Sequence, residues 1–100
     1  MKITVNSVIE IKATKLVPSG DIALLAKKIA GKTATIDIAP SSTMSELIDV
    51  ARHAFGISPS ETFADVFVKR GDRTLDKAMT VSGNGLTDAS SVSVQFKYVL

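Results

Sequence analysis

Residues 31–61, GKTATIDIAPSSTMSELIDVARHAFGISPSE, constrain the fold more than any other stretch of the chain. They spell one strand, one tight turn and one capped helix that stops at a glycine. Thr33, Thr35 and Asp37 alternate with Ala34, Ile36 and Ile38, a period of two that wets one face and buries the other. Pro40 cannot donate to a sheet ladder, so pairing ends there. Ser41 and Ser42 suit the turn. Thr43 and Glu46 form a capping-box pair at a helix start. Met44, Leu47, Ile48, Ala51 and Phe55 then recur at helical spacing on one side. Ser45, Glu46, Asp49, Arg52 and His53 take the other. Gly56 suits the left-handed position that follows a helix end. The spacing predicts a main helix over residues 43–55.

The second half continues in strands. Ala64, Val66 and Val68 alternate with Asp65, Phe67 and Lys69. Arg70, Gly71 and Asp72 make a turn, and Arg73, Thr74 and Leu75 begin a short return strand. DKAMTVSGNGLTDASS reads as an irregular connection pinned by Met79, Val81 and Leu86. In SSVSVQFKYVL, residues Val92, Val94, Phe96 and Tyr98 face one way and Ser91, Ser93, Gln95 and Lys97 the other. This best-patterned strand should lie centrally, with its apolar face on the 43–55 helix.

The 100 residues suffice for one domain with a small core. At 45% hydrophobic and 22% charged residues, the chain should fold rather than stay disordered. A formal charge of +2, scattered, makes no basic stripe for nucleic acid, so no nucleic-acid partner is expected. The absence of cysteine excludes disulfides, thiol nucleophiles and thiolate metal sites. The start MKITVNS does not read as a signal peptide, and no run approaches a membrane span, so no membrane partner and a cytoplasmic setting are expected. The chain reads as a monomer.

Residues 31–97 resemble the ubiquitin-like family. Gly31-Lys32-Thr33, Thr35, Pro40-Ser41 and Thr43 stand at the spacing of that family's second strand and helix start. Gly56-Ile57 and Pro59 match the loop after its helix. MTVSGNGLTDASSVSV is similar to its later strand and loop segment. The turn VKRGDRTL bears a weaker likeness to the small ubiquitin-like proteins of bacterial type VII secretion. The resemblance implies an α+β fold of the β-grasp type: a mixed four- to five-stranded sheet on one main helix. Residues 31–98 would form its core, and residues 1–30 an extension or first-strand region. It also implies a protein-binding role without a reaction centre, a metal or a cofactor.

The chain departs from the family in three places. It runs Phe96-Lys97-Tyr98-Val99-Leu100 without the Gly-Gly tail that ubiquitin-like modifiers and sulfur carriers feed to an activating enzyme. The apolar sheet patch of the family aligns with Ile29, Phe67, Ser93 and Gln95, two of them polar. About twenty residues precede the expected start of the fold. MKITVNSVIEIKAT alternates and supplies a bent strand or a hairpin. For residues 21–30 two readings stand. The resemblance asks for a strand over 22–28. Local chemistry favours a short helix: Ile22, Leu25, Ala26 and Ile29 have helical spacing, Asp21 suits a cap and Gly31 a stop. A helix would be an insertion between the first two strands. A strand would make residues 1–14 an added edge strand.

Little chemistry is on offer. His53, the single histidine, sits on the polar helix face without a nucleophile or a ligand set. The Ser41-Ser42 and Ser90-Ser91 pairs read as turn and cap residues. Gly83-Asn84-Gly85 lacks the lysine and helix of a phosphate loop. By parity Phe67 should stand on the solvent face, as a binding anchor, as an isolated exposed aromatic or as a ring covered by the N-terminal segment. The expectation is a non-enzymatic protein-interaction module that docks through its outer sheet face. Phe67 is the anchor, Lys69, Arg70 and Lys97 steer, and Ser93 and Gln95 complete the surface. The alternative is a covalent modifier or sulfur carrier whose glycines are missing.

Overall fold

The strand with the cleanest alternation takes the middle of the sheet. In a computed structural model that describes residues 1–100, the elements run β1 (Lys2–Lys12), α1 (Ser19–Ile29), β2 (Thr33–Asp37), α2 (Met44–Ala54), β3 (Asp65–Arg70), β4 (Arg73–Thr74) and β5 (Ser91–Val99). The sheet order is β2-β1-β5-β3-β4. β1 and β5 pair in parallel, and every other pair is antiparallel. The result is a mixed five-stranded α+β sheet carrying both helices, with α2 as the main one.

The apolar stripe of α2 meets the inner face of the sheet. Met44, Leu47, Ala51 and Phe55 are buried with Val68, Val92, Val94 and Phe96. Phe55 and Phe96 meet edge to face, with centroids 6.3 Å apart. Thr43 caps the helix by accepting the Glu46 amide at 3.2 Å. Glu46 answers through the Thr43 hydroxyl rather than a backbone N–H, so the capping box is half formed. Gly56 follows the helix at φ +72°, a conformation that costs glycine little.

The N-terminal segment is one strand rather than a hairpin or an edge addition. β1 lies between β2 and β5, with Ile3 and Val5 fully buried. Local chemistry overrides the resemblance at α1, which is a helix inserted between the first two strands. It starts at Ser19 with Pro18 at the N-cap position, three residues before the cap read from the sequence. Asp21 is no cap: it sits in the first turn, where its charge complements the helix dipole, while the Pro18 carbonyl accepts the amides of Asp21 and Ile22. Ile22, Leu25, Ala26 and Ile29 form the packed side, and Ile29 is completely buried.

Ser7 explains the join. It occupies an inward, 4% exposed position where alternation asks for an apolar residue. Its hydroxyl donates to the Ile29 carbonyl at 2.6 Å and accepts the Lys32 amide at 2.8 Å. One buried hydroxyl thus satisfies the end of α1 and the entry to β2. In the connection before β5, Val81 and Leu86 are buried as expected, but Met79 is 44% exposed. The pin there is Asn84, whose buried amide bonds to Asp76 and Thr80.

A candidate interaction surface on the outer sheet face

Strand register assembles the outer face in three rows. Phe67 on β3 stands opposite Gln95 on β5, which stands opposite Val8 on β1. Lys69, Ser93 and Asn6 form the row on one side, and Asp65, Lys97 and Glu10 the row on the other. Five of the residues singled out in the sequence, Phe67, Lys69, Ser93, Gln95 and Lys97, therefore share one surface. Val66 and Val68 point inward, which sends Phe67 out by parity. The ring is half-buried, and the Lys69 ammonium lies 6.0 Å from its centroid. β1 is two strands away from β3, so the N-terminal segment does not cover the ring.

Arg70 does not join this surface. It shares the parity of Val66 and Val68, and its guanidinium donates to the Gly85 carbonyl at 3.2 Å. Ile29, matched to the patch by alignment, is core at the end of α1. Its place in the apolar row is taken by Val8, 39% exposed, which sequence reasoning did not single out. The signal was present: inward positions on β1 are odd-numbered, and Val8 is the apolar residue that breaks that phase.

Beside Phe67 lies a shallow hollow lined by Asp65, Phe67, Thr74, Leu75, Asp76 and Lys77. Lys77 pairs with Asp65 at 3.0 Å, and that hydrogen bond holds the Asp65 carboxyl below its ordinary range. The hollow is thus lined by an aromatic ring together with charged groups of both signs.

A second cluster is structural. Glu61 accepts from Lys28 of α1 and from the Tyr98 hydroxyl of β5, the latter at 2.8 Å. The Lys28 bond, then the Tyr98 bond, lower the Glu61 carboxyl below its usual value. Burial first, and the Glu61 carboxylate second, push the Tyr98 hydroxyl up to about 12. Arg52 lies over the Phe63 ring at 5.0 Å and donates to the carbonyls of Ser58 and Glu61. Together these contacts tie the loop after α2 to α1 and β5. His53 lines an open groove with Asp49, Arg52 and residues 56–59, where the Ser58 hydroxyl pairs with that of Ser60 rather than with the imidazole.

No known protein family matches the sequence, and no curated protein matches it either. Solved structures do. One is the solution structure of a computationally designed protein based on the template of human erythrocytic ubiquitin. It is 26% identical, with a TM-score of 0.53 over 94% of this chain and 90% of that one. Another is the crystal structure of SAMP1 from Haloferax volcanii, 14% identical, with a TM-score of 0.50 over 94% of this chain and 92% of that one. The sheet order, the main helix under a central β5 and these likenesses agree that the chain has the ubiquitin-like β-grasp fold.

Proposed function

We propose that this protein is a non-enzymatic interaction module that docks a protein partner on its outer sheet face. The observation that carries the reading is Phe67. It is a half-buried ring placed outward in the middle of the face, between a polar row and a charged row. Val8 and Gln95 extend it into a strip across three strands, and Lys69 and Lys97 flank the strip. An apolar centre within a wet, charged rim is how protein interfaces are built. Lys69 and Lys97 pair with a partner's carboxylates, and Asp65 and Glu10 on the same face with its cations, so the rim selects by charge pattern. Arg70, turned to the other side of the sheet, has no part in this docking.

The test pairs two measurements on Phe67→Ala. Thermal unfolding should stay within a few degrees of the parent, because the ring is outside the core. Capture of protein partners should fall at least about tenfold, the loss typical of a central anchor. Unchanged capture would refute the assignment.

A further inference from the structure

β1 is longer than its neighbour on one side. β2 pairs only with residues 2–6 of β1, whereas β5 pairs with it as far as Lys12. The backbone groups of odd-numbered β1 residues point toward β2: the Ser7 amide donates to Lys32, the Ser7 carbonyl accepts Gly31, and Met1 accepts Ile38. Even-numbered residues point toward β5, as Lys2, Thr4 and Lys12 do. Beyond Ser7 the odd-side groups of Ile9, Ile11 and Ala13 therefore face no strand, and they have no backbone partner. The Glu10 and Lys12 side chains beside them are exposed, and neither belongs to any of the three ion pairs in the chain. The C-terminal end of α1 lies beside Ser7, just before this edge begins, where the inward Ser7 hydroxyl bonds its last carbonyl.

An open edge of this kind is a template for another strand. We propose that it pairs, antiparallel, with the same edge of a second copy of this chain. Register decides the matter. An odd shift would put inward side chains on the solvent face. Of the even shifts, centring the pair on residue 10 sets Glu10 against Glu10, and centring it on residue 12 sets Lys12 against Lys12. Centring it on Ile11 sets Glu10 against the partner copy's Lys12 twice, once on each side of the two-fold axis. Ile11 then exchanges both backbone hydrogen bonds with its counterpart, and Ile9 does so with the partner copy's Ala13. The Glu10–Lys12 pairs fall at the non-hydrogen-bonded positions, where side chains approach most closely. The sequence Glu10-Ile11-Lys12 is self-complementary in charge when run antiparallel, as an isologous contact requires. This surface is separate from the Phe67 face and extends the sheet from five strands to ten.

Sedimentation velocity over a concentration series tests the proposal with charge reversals at exposed positions. The parent should form a dimer reversibly as concentration rises through the micromolar range. E10K alone and K12E alone place like charges opposite one another, and each should weaken the dimer at least about tenfold. An equimolar mixture of E10K and K12E restores opposite charges at both positions and should dimerise at least as well as the parent. Amide exchange at Ile9, Ile11 and Ala13 should slow as the dimer forms. A parent that stays monomeric to about millimolar concentration overturns the proposal. So does a mixture that associates no better than either variant alone. Protection of those amides independent of concentration would show the edge covered within one chain, and it would overturn the proposal too.

Discussion

Ser7→Ala is the most informative single change in this protein. The hydroxyl serves two backbone groups that have no other partner, the Ile29 carbonyl and the Lys32 amide, at 2.6 and 2.8 Å. It does so at a site 4% exposed. Alanine fits the space and leaves both groups unpaired. A buried backbone group stripped of its partner costs about 1–3 kcal/mol. The Ile29 carbonyl is fully enclosed, while the Lys32 amide is partly reachable by water, so the two together should cost about 2–4 kcal/mol. Domains of this size are stable by about 5–15 kcal/mol, and each kcal/mol corresponds to about 4–8 °C in Tm. Thermal unfolding followed by circular dichroism should therefore show a drop of roughly 10–25 °C. Amide exchange at Lys32 and in the last turn of α1 should accelerate before the rest of the chain. Ser93→Ala, on the solvent face, should change stability by less than about 0.5 kcal/mol. If Ser7→Ala melts with the parent, the hydroxyl is not the joint between α1 and β1, and the account of why a serine occupies a core position is wrong.

Leu47→Asp buries an unpaired carboxylate beneath the sheet, where Leu47 has no exposure. It should remove several kcal/mol, on the order of the whole stability, and urea titration would reveal any variant that keeps its midpoint. Tyr98, the single tyrosine, ionises at about 12 in the folded chain against an ordinary value of 10.0. Its contribution is complete below the unfolded value and is lost as pH rises from there through the folded one. Alkaline unfolding should therefore be shallower in Tyr98→Phe than in the parent, and tyrosinate absorbance should appear late. Glu61 has the opposite sign. Its lowered carboxyl stabilises the fold above the ordinary carboxylate range and ceases to as pH falls through the folded value. Acid unfolding of Glu61→Gln should start from lower stability and lose less.

Much of the architecture was legible because local signals agreed with one another. In residues 31–61 alternation, proline, cap and glycine all point to the same elements, and β2 and α2 fall where they predict. The central place of β5 follows from its unbroken alternation. Where local chemistry and resemblance disagreed, at α1, local chemistry prevailed: alanine, leucine and helical spacing outweighed an alignment that asked for a strand over residues 22–28. The phase of β1 could not be read cleanly because Ser7, a polar residue, holds a core position for reasons visible only when Ile29 and Lys32 arrive beside it. Val8 was obscured by the same break. Arg70 was legible after all, since it shares the parity of Val66 and Val68, but nearness in sequence to Lys69 suggested a shared face.

The pairing of β1 with β5 also sets an order in time. Residues 4–12 find their register partners at 91–99, nearly the full chain away. These two strands occupy the interior of the sheet, and both contribute to the one core that α2 shares. During synthesis, then, β1, α1, β2 and α2 all leave the ribosome before the strand that completes their sheet exists. Until it arrives, Ile3 and Val5 have only the short β2 beside them. Loop closure over so many residues must precede the contacts that reward it, which places folding toward the slow end for a domain of this size. In that interval the nascent chain exposes apolar strand edges on both sides of the vacant centre, and it is then that a chaperone has the most to hold.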